Sequence, residues 1–364
     1  MSKDKEKNQL SLSDPQFFHL RTQQLITPVS LKNIATAFVV GKNNFAALDG
    51  ITCYTLEVWE ECMRLPHWHP NASELGYVIS GQIEVITWRS PGESAVFTLG
   101  PGMCWFIPKG ALHSLNNIGK EHAKLLVGFG HEQPDDMDLP VAFNGVPVPV
   151  RDAYTSPHVE LRKWSGVTSN PLFGRFPFDP TINKVLTASP YGFDLAKVTP
   201  LFNDPALGSV IWGVKSNWNI LEDMSMLRAI LKPGVARDLI WYPDVGTLYV
   251  VAQGSGQFNI IVANTEARAF DIALYDYIYV PMGIPHTFIN TSINTPAQQD
   301  LEMIAFFTNA NPQPEVSLSV STAFFPENIR NAALNNDGLE NKTGAPLKHL
   351  NFTEASPYLV RVRK

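Results

Sequence analysis

His67 and His69 stand two residues apart in PHWHPNASELG, Glu74 follows five positions later, and His113 lies in a separate segment, GALHSLNN. Residues two apart on a strand face the same side, so both imidazoles project together while Trp68 faces away. Pro70-Asn-Ala-Ser73 breaks that strand, and Glu74 opens a new apolar run that turns back at Gly81. His113 follows the turn at Pro108-Lys-Gly110 on a further strand. A single histidine on an apolar face is more often a hydrogen-bonded core residue. Three of them with one carboxylate at this spacing point instead to a divalent cation. Such a set leaves two positions open on an octahedral ion, and its mixture of nitrogen and hard oxygen suits Mn²⁺ or Fe²⁺. The affinity order favours Zn or Ni, so ligand type alone leaves the metal open.

The elements needed to hold these residues read as short strands. ITCYTLEVW, ELGYVIS, QIEVITW, SAVFTL, MCWFI and KLLVGF are rich in β-branched and aromatic residues and are separated by Pro, Gly and Asn. Sliding the chain along itself by 173 positions aligns Arg64 with Arg237, Trp68 with Trp241, Gly81 with Gly254, Pro108 with Pro281, His113 with His286 and Asn117 with Asn290. Two copies of one domain follow. The second copy repeats the strands as SMLRAILK, TLYVVA, GQFNIIV, ARAFDIA, DYIYV and LEMIAFF. The fold class is therefore all-β, with residues 1–190 (core about 35–130) and 191–364 (core about 208–310) as the two domains. The Pro134–Asp204 stretch reads as connection, and Pro326-Glu-Asn-Ile-Arg-Asn-Ala-Ala-Leu as a short peripheral helix.

The pattern H-x-H-x4-E-x6-G is met by His67, His69, Glu74 and Gly81, and G-x5-P-x-G-x2-H-x3-N by Gly102, Pro108, Gly110, His113 and Asn117. With these two motifs and the duplication, the chain resembles the cupin superfamily, and specifically a bicupin of the oxalate decarboxylase and germin-like oxalate oxidase kind. The resemblance implies two double-stranded β-helix (jelly-roll) barrels, with the metal inside the first. It also implies a substrate contact for Arg64, which precedes His67 by three positions as an arginine does in the decarboxylases. A guanidinium beside a divalent ion would hold a small anion through charge-assisted hydrogen bonds of about 1.5–3 kcal/mol each. A surface ion pair or a stem packed on Trp68 is the plainer role for that arginine.

After the last strand of the first barrel, the decarboxylases carry a lid glutamate flanked by serine and asparagine. Here the segment is GHEQPDDMDLP, where Asp135 is the nearest positional match, with Asp136 and Glu132 adjacent. An acidic loop is usually only solvated. By resemblance, oxalate would bind beside Arg64 with dioxygen assisting, the lid acid would take its proton, and loss of CO₂ and reprotonation would give formate. A lid that fails to return the proton would favour oxidation to CO₂ and hydrogen peroxide. A quercetinase-like dioxygenase and a non-enzymatic ligand-binding bicupin are the rival readings; Arg64 disfavours the first and the intact ligand set the second.

In the second copy, His67, His69 and Glu74 become Ile240, Tyr242 and Thr247, and Gly102 becomes Tyr275, so only His286 persists. That copy reads as a degenerate site with no metal. Lys+Arg 28 against Asp+Glu 34, with no basic cluster, argue against nucleic acid, and no apolar run is long enough to span a membrane. The polar start, MSKDKEKNQLSLSDPQ, and three cysteines without C-x-x-C spacing suggest a reducing cytoplasm. Cupin relatives commonly form trimers or hexamers, and a homo-oligomer is expected here on that resemblance.

Overall fold

The computed structural model describes residues 18–153, 172–175, 189–262, 266–293, 298–326, 329 and 358–362. The first repeat supplies β1 (His19–Arg21), β2 (Val29–Leu31), β3 (Ala35–Val39), β4 (Thr52–Val58), β5 (Cys62–Trp68), β6 (Glu74–Ser80), β7 (Ile83–Trp88), β8 (Ser94–Leu99), β9 (Met103–Ile107), β10 (Leu112–Asn117) and β11 (Ala123–Phe129). β12 (Met137–Asp138), β13 (Phe173–Arg175) and β14 (Gly192–Asp194) follow. One sheet runs β14-β9-β6-β11-β4-β3-β2; the sheet facing it runs β12-β5-β10-β7-β8, with β13 also paired to β5. The second repeat forms two seven-stranded sheets of the same design. Two jelly-roll barrels result, with short helices such as Leu139–Gly145 and Leu318–Phe324 after the last long strand of each. The helix read from Pro326 falls almost wholly outside the described residues.

The repeats exchange a strand. β1 pairs with Asp276–Val280 of the second barrel, His19 opposite Ile278, whereas β14 pairs with β9 of the first, Gly192 opposite Trp105. Both members of the second pair lie 173 residues beyond, or before, their counterparts in the first, so each repeat's leading strand completes the other repeat's sheet. The Pro134–Asp204 stretch, read from sequence as connection, therefore contains β12, β13, β14 and a further strand at Phe202–Asp204. Strands of two or three residues are too short for any periodicity and exist only through their partners.

Within the first barrel the core gathers Val78, Val85, Trp105, Leu115, Leu125, Val127 and Phe129 between the sheets. A second apolar cluster joins the barrels, with Tyr77, Phe106 and Leu126 packed against Leu248, Tyr277 and Phe306. Side chains of this size stabilise by about 1.5–3 kcal/mol each when fully buried, so this cluster ties the two barrels together beside the core of each. Gly128 is part of that fit: a Cβ there would lie 2.6 Å from the Phe306 ring.

Candidate metal centre

β5, β6 and β10 bring the four sequence-predicted ligands together. His113 on β10 lies opposite His67 on β5, His69 follows the end of β5, and Glu74 opens β6. Their ligand atoms all lie within 4.8 Å of one another, and all four residues are buried. Every imidazole is oriented through Nδ1. That of His67 faces Leu65 O at 2.7 Å, that of His113 faces Ala111 O at 3.0 Å, and that of His69 faces Asp135 O at 3.0 Å and Asp136 Oδ1 at 3.1 Å. These partners are acceptors only, so each Nδ1 carries the proton and each Nε2 keeps its lone pair.

That tautomer makes the centre a test of what it holds. Nε2 of His69 and of His113 stand 3.2 Å and 3.0 Å from the same atom, Glu74 Oε2. Lone pairs facing a carboxylate oxygen in a dry interior repel unless positive charge lies between them. The donor set therefore fits a divalent cation. Without one, the charge must come from protons, and the electrostatics show the strain of that substitute. Burial opposes charge on His69, yet Glu74 beside it holds its pKa above the ordinary histidine value. Burial likewise opposes charge on Glu74, but His113 and His69 pull its carboxyl well below the usual range. Burial, reinforced by Arg64 and the other two rings, pushes His67 well below its ordinary value.

Glu74 is itself oriented by Trp105, whose Nε1 donates to Oε1 at 2.6 Å. The indole can lie there because residue 76 is glycine: a Cβ on Gly76 would be 2.0 Å from the Trp105 ring. Sequence reasoning singled out neither residue.

Arg64 points into the same space and is 6% exposed. Its Nη2 donates to Asp136 Oδ1 at 3.1 Å, its Nη1 to Asp138 Oδ1 and to Leu172 O at 3.0 Å. The plainer role, a surface ion pair or a stem on Trp68, does not describe this buried position. Of the two candidate lid acids, only Asp136 presents its carboxylate to the centre, bridging Arg64 and His69. Asp135 is exposed and reaches the site through its backbone: its N–H takes Asn71 Oδ1 and its carbonyl takes His69. Asp138, two residues further on and 2% exposed, was not foreseen. It became part of the site because β12 pairs with β5, Asp138 opposite His67, a pairing with no signature in the local sequence. The enclosed space is a cavity of about 20 Å³ lined by Arg64, His67, His69, Glu74, Asp136 and apolar side chains that include Tyr54, Leu115 and Phe129. It has room for about one water.

In the second barrel the equivalent interior is filled. Tyr242 Oη donates to Glu315 Oε2 at 3.0 Å, Arg237 Nη2 donates to Glu315 Oε1, and Tyr249 Oη lies 2.8 Å from His286 Nε2. His286 Nδ1 faces Ile284 O at 3.0 Å, as His113 faces Ala111. The persistent histidine is thus a hydrogen-bonded interior residue, and burial pushes its pKa down to about 4.

Two barrels of this topology, one with a three-histidine, one-glutamate cage, define a bicupin. The cupin family profile matches residues 28–152 and 199–342, and the chain belongs to that family. It is similar to an oxalate decarboxylase of Arthroderma benhamiae, 25% identical over 304 residues that cover 75% of this chain and 70% of that protein. The oxalate decarboxylase OxdC of Bacillus subtilis is 24% identical over 278 residues, covering 74% and 69%. The solved structure of the Bacillus subtilis oxalate decarboxylase at pH 4.6 superposes with a TM-score of 0.77 at 19% identity, covering 95% of this chain and 88% of that one. A shorter match, 34% identical over 88 residues, links it to the rhicadhesin receptor of Pisum sativum, covering 24% of this chain and 40% of that one.

Proposed function

We propose that the first barrel binds one redox-capable divalent ion, Mn or alternatively Fe, through His67, His69, Glu74 and His113, and that it converts a small carboxylate, oxalate first, to formate and CO₂. The observation that carries this reading is the convergence of a buried four-ligand cage on a buried, paired Arg64 within a cavity of about 20 Å³. The curated relatives whose similarity spans both barrels are named for oxalate decarboxylation, which supports the choice of substrate. Oxalate would enter such a space only with a shift of the Asp136 loop at its rim, whereas the aromatic ring a quercetinase-like enzyme would need calls for a far wider opening.

The metal, when bound, supplies Lewis acidity and one-electron redox capacity. The chain's own residues do the rest. The Arg64 guanidinium holds one carboxylate of the oxalate monoanion. Asp136 takes the proton from its carboxyl group, the carbon–carbon bond breaks with release of CO₂, and the same proton is returned to carbon to complete formate. Apolar neighbours exclude water, which keeps the intermediate from other fates. Metal analysis of purified protein, coupled to an oxalate assay that follows formate, peroxide and oxygen together, tests the proposal. Formate without peroxide supports it; peroxide with oxygen uptake would make the protein an oxidase; no turnover of oxalate would overturn the substrate.

A further inference from the structure

Among the described residues Arg64 is balanced by two carboxylates, Asp136 and Asp138, whereas Arg237 in the second barrel is paired to one, Glu315. The strand registers align these partners. Asp138 lies opposite His67, and Ser317 lies opposite Ile240, the residue 173 positions beyond His67. Glu315 then precedes Ser317 by two positions, as Asp136 precedes Asp138. The frame therefore accepts a serine at this place: Ser317 is buried and donates to Asp238. The acid at 138 is also the more costly choice. Its side chain is fully buried, and among the described residues Oδ2 has no hydrogen-bond partner, a desolvation cost that a serine avoids.

We infer that Asp138 sets the charge of the ligand, holding a fixed negative charge on Arg64 so that the pocket selects a singly charged carboxylate over a doubly charged one. This rests on the small-carboxylate reading above. Arg64, Asp136, Asp138 and Glu74 together carry a net charge of minus two, the complement of one divalent ion. The side chain of Asp136 is 24% exposed at the rim, whereas that of Asp138 is wholly enclosed. Exchange of Asp136 for a ligand carboxylate on Nη2 leaves one positive charge to be matched. One carboxylate matches it; a second would be stranded without a partner in a dry site. With serine at 138 two positive charges would remain, and a dianion would be the matched ligand.

The test is titration calorimetry on the metal-loaded, full-length protein at neutral pH, with malonate and with malonamate, which has the same skeleton and one charge fewer. Wild type should bind malonamate more tightly. D138S and D138N should each shift the affinity ratio toward malonate by about tenfold or more, the size of one unit charge a few ångströms away in a partly screened interior. D138E, which keeps the charge, should restore the wild-type ratio. A purely structural role would weaken both ligands alike and leave the ratio unmoved. Thermal unfolding identifies which variants are folded, and D138N stands in if D138S is not. An unchanged ratio in a folded variant overturns the inference and leaves the carboxylate reading intact. Failure of wild type to bind either anion overturns that reading, and the inference with it.

Discussion

Replacing Glu74 by glutamine changes one buried atom and no volume, yet it should empty the centre. Trp105 Nε1 donates to Glu74 Oε1 at 2.6 Å, and a glutamine can satisfy that donor only with its carbonyl oxygen. The amide NH₂ must then occupy the place of Oε2, 3.2 Å and 3.0 Å from Nε2 of His69 and His113. There it donates to the imidazole lone pairs and supplies the hydrogen that the metal-free wild-type cage must take from solvent. Two consequences follow. Metal affinity should fall by more than the ten- to hundredfold typical of losing an outer partner, so by at least about 2.7 kcal/mol. The metal-free barrel, in contrast, should be no less stable than metal-free wild type, because the amide satisfies the imidazoles without the protons that the wild-type cage must take up. The assays are elemental analysis after dialysis against a metal buffer, and thermal unfolding with and without chelator. Wild type should lose stability on chelation, by linkage to bound metal; Glu74→Gln should not respond. Full occupancy in Glu74→Gln, or the same chelator-dependent fall in Tm, would refute the ligand assignment.

Trp105→Phe should lower metal affinity by about ten- to hundredfold while keeping the fold, checked by the same dialysis series. Asp136→Asn should cost about a hundred- to ten-thousandfold in turnover and Asp135→Asn little, since only the former's carboxylate faces the centre; the reverse order would move the acid to Asp135. Arg64→Lys should raise the Michaelis constant, because a lysine lacks the planar fork that serves two carboxylates and the Leu172 carbonyl, and unchanged kinetics would leave Arg64 a structural role. His286→Gln tests the second barrel through pH. Burial lowers this histidine from 6.5 to about 4, so below 6.5 the unfolded chain binds a proton that the folded chain refuses. Stability should decline by about 3 kcal/mol between those values. Denaturation midpoints of the metal-loaded His286→Gln protein should lose that slope with metal content unchanged; an equally steep slope would count against the assignment.

The long strands were legible because they satisfy local rules. Leu75 to Ile79 and Leu125 to Phe129 are apolar, β-branched or aromatic runs bounded by turn residues, and they form β6 and β11. The cage was legible for a related reason: two short, spaced motifs place three ligands on three strands and His69 directly after one of them. What escaped notice depends on contacts between distant segments. β12 and β13 are two and three residues long, yet they deliver Asp138 and Phe173 beside Arg64. The exchange of β1 and β14 between barrels is likewise invisible locally, although both obey the 173-residue offset. Asp135 is the nearest positional match in the acidic loop, yet its side chain is exposed; the hydrogen bond from its N–H to Asn71 Oδ1 has no signature in composition.

The duplication also separates residues that serve the frame from those that serve chemistry. Asn117 Nδ2 donates to Val58 O and Glu121 O, and Asn290 Nδ2 donates to Leu231 O and Gln299 O, the same pairing carried into the second barrel. That motif asparagine is structural in both copies. Gly102 adopts φ +82°, and Tyr275, its counterpart, still adopts φ 66°, so the turn persisted even where it strains a side chain. The ligands diverged together with what surrounds them. Gly76, which makes room for Trp105, corresponds to Tyr249, and Trp105 corresponds to Ile278. In the first barrel the large ring crosses from β9 to orient the Glu74 carboxylate. In the second it is exchanged for a phenol on the neighbouring strand of the same sheet, whose hydroxyl reaches His286 Nε2. An unpartnered His286 Nε2 would be a buried acceptor with an unmet desolvation cost, and Tyr249 Oη, 2.8 Å away, provides its hydrogen.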